Sequence, residues 1–257
     1  MSRMIFLLPC VLVLGCIQDT SGNTVPEQTP EVITVEKAAV SYKVVEPEMI
    51  GESTKPHPAV VLLTAILGPN RSVGTAFFAS YRNRKFLITA KHCVINANTL
   101  SALSGAYGPV SFKALSHAFG NRVDIAAFMV ESESPVQFLE LESKDIVKTV
   151  PKNDIVAGIP DSWTPLECVI YGYPSDQGFR VSTGKITHRI DFTTCSYLVC
   201  TSRSTNGMSG SPWVNKKTGK VVAVHSSTLG QEKTQRSGGI SVEALYPLLD
   251  SLIEKEK

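Results

Sequence analysis

From residue 59 onward, short apolar and β-branched runs alternate with clusters of turn-forming residues. Residues 59–66 end at Gly68-Pro69-Asn70, and residues 74–81 end at Arg82-Asn83-Arg84. Further runs occupy 85–89, 110–114, 125–130, 154–159, 168–173, 178–190, 193–202, 212–215 and 220–226. Runs of this length, separated by turn signals at this spacing, predict an all-β sandwich or barrel. Only the end of the chain carries a helical stripe, formed by Val242, Leu245, Leu248, Leu249 and Ile253. Pro247 fits that helix only within its first turn, where a missing N–H removes no hydrogen bond. The Glu-, Ser- and Pro-rich stretch 131–150 predicts a linker between two halves, and no internal repeat of fixed period is present.

Before residue 59 the pattern changes. Arg3 precedes an apolar run at 4–14, which has the length of an export signal and is too short to span a bilayer. The run ends Val13-Leu14-Gly15-Cys16, which resembles the bacterial lipobox, in which a small residue precedes a lipidated Cys. The competing reading is an ordinary secretory signal in which Cys16 is incidental. Residues 1–15 are therefore expected to be a signal peptide, and 16–45 a lipidated Cys16 followed by a polar, Pro-punctuated tether. Such a chain is anchored to a membrane rather than spanning it. The expected location is the bacterial cell envelope, with free secretion as the alternative.

Composition narrows the remaining classes. Of 257 residues, 43% are hydrophobic, enough to bury a substantial core. Lys plus Arg number 25 against 23 Asp plus Glu, a near balance that gives no support to an electrostatic footprint for nucleic acid. Beyond Cys16, the exported part holds Cys93, Cys168, Cys195 and Cys200, for which three full pairings are possible. Cys195 and Cys200 are the pair expected to meet locally. The alternative is that the cysteines act as small buried hydrophobes. No Cys-x-x-Cys and no His-x-x-x-His spacing occurs, so no metal and no cofactor is expected.

Three segments carry candidate chemistry. The run Phe86 to Val94 brings a strand into a turn bearing His92; Asp124 opens the apolar run 125–130; Ser209 sits in the Gly-flanked loop Gly207-Met208-Ser209-Gly210-Ser211-Pro212. Taken singly, each has a structural reading: a polar turn residue, a strand cap, a tight turn. Together they supply what a nucleophilic Ser requires: a neutral imidazole to accept its proton and a carboxylate to hold that imidazole in the correct tautomer. His57, His117 and His188 lie outside these segments and are read as surface or structural.

The motifs resemble those of trypsin-like serine proteases. Thr89-Ala90-Lys91-His92-Cys93 resembles their Thr-Ala-Ala-His-Cys, and Asp124-Ile125-Ala126 their Asp-Ile-Ala. Gly207-Met208-Ser209-Gly210-Ser211-Pro212 resembles the Gly-Asn-Ser-Gly-Ser-Pro of the bacterial glutamyl endopeptidase branch, and Tyr171-Gly172-Tyr173-Pro174 and 182–186 also resemble bacterial members. The resemblance covers roughly 58–254. It implies two six-stranded antiparallel β-barrels (46–140 and 141–257), a C-terminal helix, and an active site in the cleft between the barrels. It further implies His92 as general base, Asp124 as its orienter, Ser209 as nucleophile, and the Gly207 and Ser209 N–H groups as oxyanion hole. Protein or peptide substrates would be hydrolysed through an acyl-enzyme. His225 resembles the pocket His of the glutamyl branch, and with Ser204 and Thr228 it implies preference for Glu before the scissile bond; the alternative is a buried strand His bonded to backbone. Arg203 would add charge at the pocket floor, unless it turns to solvent. The alternatives are a catalytically silent binding module of the same fold and an esterase. Two departures stand out. Met208 replaces the Asp that pairs with a newly cut N-terminus in zymogen-type members, which argues against activation by that route. Cys93 has no Cys partner on the preceding strand.

Overall fold

The computed structural model describes residues 42–43, 50–51, 55–152, 159–160, 164–175, 178–230 and 235–256. The expected signal peptide, Cys16, and most of both the tether and the run 154–159 lie outside the described residues. Strands β1 (Tyr42–Lys43) and β2 (Ile50–Gly51) precede a sheet built from β3 (Val60–Leu67), β4 (Asn70–Tyr81), β5 (Arg84–Thr89), β6 (Thr99–Ser104), β7 (Gly108–Val110), β8 (Phe112–Phe119) and β9 (Ala126–Ser132). Their order is β7-β6-β3-β4-β5-β9-β8, with β10 (Leu139–Glu140) added in parallel to β4. A short helix, α1 (Lys91–Val94), follows β5.

The predicted linker 131–150 is ordered into β10 and α2 (Lys144–Lys148), whose N-cap Ser143 accepts the Asp145 N–H. Beyond it, β11 (Ile159–Pro160) pairs with β1, inside the stretch read as tether. The second half contains β12 (Leu166–Gly172), β13 (Arg180–Asp191), β14 (Ser196–Cys200), β15 (Pro212–Asn215), β16 (Val221–Leu229) and β17 (Arg236–Ser241). These run in the order β12-β15-β16-β17-β14-β13, and pairing of β12 with β13 closes the ring. A 3-10 turn at Val242–Ala244 leads into α3 (Leu245–Glu254), with Pro247 in its first turn as the sequence requires.

The expectation of two closed six-stranded barrels is corrected to one. The second half is a closed barrel of six strands; the first is a half-barrel, because no ladder joins its edge strands β7 and β8. Between those edges, Ser111 donates its N–H to Ser134 Oγ and its carbonyl accepts from Ser132 Oγ. These side-chain contacts satisfy the Ser111 backbone where β7 passes into β8. A cavity of about 590 Å³ remains beside β6 and β8, lined by Leu100, Phe112, Phe119 and Phe128 among others.

Period-two alternation assigns the two faces of the first sheet to different cores. Phe78 and Leu87 join Val61, Leu63 and Val130 on the inner face. Their neighbours Phe77, Phe86 and Ile88 face the other way, onto Ile170, Leu198, Trp213 and Val224 of the barrel and Leu245, Leu249 and Leu252 of α3. All of these outer-face and helix residues are buried, and burial of each large apolar side chain contributes about 1.5–3 kcal/mol. The two halves are therefore packed through a continuous apolar interface.

Candidate active site

His92 is the second residue of α1, placed where β5 ends. Asp124 lies in the loop before β9, which is tightened by Arg122 at φ +61° and by the Gly120 N–H donating to the Ile125 carbonyl. Asp124 holds His92 at two points. The His92 backbone N–H donates to Oδ1 at 2.9 Å, and ring Nδ1 meets Oδ2 at 2.7 Å. A ring nitrogen facing a carboxylate carries the proton, so Nε2 is left as the basic edge.

A third donor comes from β16. Its register against β17 shifts between His225 and Ser227, so Ser226 is the extra residue of a bulge, and its hydroxyl reaches Asp124 Oδ2 at 2.7 Å. Burial pushes the Asp124 carboxyl up, but hydrogen bonds from the His92 ring, Ser226 and the His92 backbone outweigh it and hold the group below its ordinary value. The Asp124 carboxylate is in turn the largest cause raising His92 from 6.5 to about 10.

Ser209 occupies a compact turn at the end of the loop before β15. Met208 N–H donates to the Thr205 carbonyl, Ser211 N–H to Met208, and Gly210 N–H to His225, whose own N–H returns to Ser211. Gly207 has φ +91°, and a Cβ there would stand 2.5 Å from the Tyr173 carbonyl and 2.6 Å from Ser175 N, so only glycine fits. Among the described residues, neither the Gly207 nor the Ser209 N–H donates a hydrogen bond. Met208 is fully buried and anchors the turn in the core without an ion pair.

Thr75 of β4 locks this turn to the first half. Its N–H donates to the Ser209 carbonyl at 2.8 Å and its hydroxyl to the Gly207 carbonyl at 2.9 Å, while its own carbonyl accepts from Thr89 Oγ1. The strand that carries Thr75 pairs with β5, which leads directly to His92. Cys93 completes the seam: its Sγ lies 3.8 Å from the Ser209 carbonyl, and a Cβ at Gly74 would stand 2.7 Å from that sulfur. Gly74 thus occupies the place from which a cross-linking cysteine would reach Cys93. Within 3.5 Å no hydrogen bond joins Ser209 to His92. Such contacts are commonly long without substrate and tighten around it.

The pocket residues are partly brought together. Ser204 Oγ and Thr228 Oγ1 lie 2.7 Å apart. His225, three positions before Thr228, is buried against Trp213, with ring centroids 6.1 Å apart, and its Nδ1 has no partner. Burial first, and then the charge of His92, push His225 down to about 4, so this imidazole is neutral at ordinary pH. Arg203 is half-buried and its Nε is sealed from solvent without a hydrogen bond. His188 is buried and structural, donating to or accepting from Thr187 Oγ1 at 2.9 Å. Cys200 lies beside Cys168, not Cys195.

Sequence reasoning missed Thr75 and Ser226. Their only signal is position: Thr75 follows Gly74, and Ser226 follows His225. Among the described residues, no cluster of three or more His, Cys, Asp or Glu side chains could hold a metal ion, and no helix is long and apolar enough to cross a membrane.

A family model described as "Trypsin-like peptidase domain" matches residues 74–224, more than half of the chain. No curated protein sequence matches significantly. Among solved structures, the active form of the Rv3671c protease from M. tuberculosis is similar with a TM-score of 0.60 at 17% identity, covering 85% of this chain and 92% of its own. The HtrA-type protease AlgW with tripeptide has a TM-score of 0.58 at 16% identity, covering 79% of this chain and 62% of its own. Human heparin binding protein has a TM-score of 0.56 at 16% identity, covering 79% of this chain and 96% of its own.

Proposed function

We propose, from the premise that this chain belongs to the trypsin-like peptidase family and is a serine endopeptidase acting on protein or peptide substrates, that its reaction runs through Ser209. The observation that carries this reading is the two-point grip of Asp124 on His92 beside the turn that holds Ser209. His92 Nε2 takes the Ser209 Oγ proton as that oxygen attacks the scissile carbonyl carbon. The carbonyl oxygen becomes an anion facing the Gly207 and Ser209 N–H groups, which donate to no other group among the described residues. Collapse of the tetrahedral species breaks the C–N bond, and His92 returns the proton to the departing amine. An ester to Ser209 remains. Water then attacks it, with His92 again accepting a proton, and releases the acid and free Ser209. Asp124 stays ionised throughout, holding the ring in place and stabilising the imidazolium.

Glu is the preferred residue before the cut, with Asp and Gln accepted. A neutral His225 offers one N–H donor, Ser204 and Thr228 offer hydroxyls, and Arg203 supplies positive charge nearby. The enzyme is exported and lipid-anchored through Cys16 at the bacterial cell envelope, a reading supported by the 4–14 apolar run and Val13-Leu14-Gly15-Cys16.

Fluorophosphonate labelling followed by cleavage-site profiling tests the reading. Labelling is expected on Ser209 and absent in Ser209→Ala, with cuts chiefly after Glu. An unlabelled, correctly folded wild-type protein would turn the reading to a silent binding module. Cuts chiefly after Arg, Lys or large aromatics would reject the pocket and leave the mechanism standing.

A further inference from the structure

We propose that Cys168 and Cys200 form a disulfide that ties β12 to β14 across β13 inside the closed barrel. Their sulfurs lie 3.4 Å apart on strands that flank β13 on either side. Gly184 of β13 stands between them. It pairs with Cys168, and a Cβ there would come within 2.6 Å of Cys200 Sγ, so glycine leaves the space in which the sulfurs meet. Both cysteines are buried. The other two described cysteines are placed elsewhere: Cys93 lies against Gly74 in the first half, and Cys195 is half-exposed in the turn with Phe192. Of the pairings open to the sequence, the fold brings one into register.

Closing the bond takes one hydrogen, a proton and an electron, from each thiol. The two electrons reduce the disulfide of an oxidant by thiolate attack through a mixed disulfide, and the two protons, exchanged through solvent, convert its two released thiolates to thiols. The oxidant is a disulfide-bearing small molecule or protein of an oxidising compartment. Because the folded barrel seals both sulfurs from such a molecule, the bond is laid down while the chain folds and is protected afterwards. It is a structural cross-link rather than a switch. Its position matters for the pocket: Cys200 ends β14, the Ser202 N–H points at its sulfur at 3.5 Å, and Ser204, which meets Thr228, follows two residues later.

The inference leans on the exported location proposed above only for its oxidant, so the test supplies the oxidant instead. The full chain is unfolded, refolded in a mixture of oxidised and reduced glutathione, alkylated with iodoacetamide, digested without reductant and mapped by mass spectrometry. The expected product is one linked peptide pair through Cys168 and Cys200, lighter by about 2 Da than the two reduced peptides. Reduction should lower the thermal midpoint of the wild type by about 5–10 °C and leave that of Cys168→Ala unchanged. Alkylation of both Cys168 and Cys200 after oxidative refolding, or predominant links through Cys93 or Cys195, overturns the proposal while leaving export untouched. If Cys168→Ala does not fold, the wild-type peptide map decides alone.

Discussion

Ser226 donates its hydroxyl to Asp124 Oδ2 at 2.7 Å from the one residue of β16 that the bulge leaves without a partner on β17. The carboxylate that orients His92 is itself fixed by a backbone irregularity in the other half of the molecule. Ser226→Ala should therefore lower kcat by about tenfold with little change in KM, the scale of one hydrogen bond to a charged group. Ser226→Thr, which keeps the hydroxyl, should restore most of that loss. Equal activity in the wild type and Ser226→Ala would show that the contact orients nothing.

The activity profile should rise with pH, because attack requires the neutral imidazole. The Asp124 carboxylate raises His92 to about 10, so the rising limb should sit above the ordinary imidazole value of 6.5. Asp124→Asn should lower kcat by about 10⁴-fold and bring the limb down toward 6.5. Stability should follow a different course. A raised His92 contributes stability that is complete below 6.5 and is lost as pH rises toward 10, while a lowered Asp124 contributes above 3.8 and is lost as pH falls. Thermal midpoints of the wild type minus those of Asp124→Asn should thus peak on the acid side of maximal activity. A coincident peak contradicts this account.

Gly207→Ala should remove most activity, by about 10²–10³-fold, because the new Cβ forces the loop away from Tyr173 and Ser175 and displaces an oxyanion donor. Single-turnover acylation with an ester substrate measures the step directly. An unimpaired acylation rate would place the oxyanion elsewhere.

His225→Ala should reduce kcat/KM for substrates with Glu before the cut by at least about tenfold, and far less for other residues that the enzyme cleaves. Since His225 is held at about 4, the ratio of Glu to Gln cleavage should be flat from about pH 6 to 9. A ratio that titrates in that range would mean that the imidazole charges during the assay.

Cys16→Ser should release the protein from membrane or detergent phases, or leave it unprocessed. Identical partitioning of the two proteins, with a mature N-terminus away from Cys16, would reject the lipid anchor.

His92, Asp124 and Ser209 were legible as candidates because each sits in a distinctive local string. Thr75 and Ser226 were not, since their roles arise only when β4 meets the Ser209 turn and when β16 bulges. Strand β17 escaped the pattern for a physical reason. Gly238 and Gly239 interrupt its apolar run because the rings of Tyr197 and Trp213 lie against the strand where side chains would otherwise be. Strand β6 was hidden differently, its alternation of Thr99, Leu100, Ser101, Ala102, Leu103 and Ser104 muted by small residues. Closure of one half and not the other depends on which edges meet, and no window of sequence records that.

The last helix packs on β8 and β9 of the first half, and its end is joined to the β4–β5 hairpin by the ion pairs Arg82–Asp250 and Arg84–Glu256. His92 and Asp124 belong to the first half, whereas Ser209 and α3, which packs on that half, come later in the chain. His92 and Asp124 therefore share a site with Ser209 only once the Ser209 turn docks on Thr75 and Cys93 of the first half.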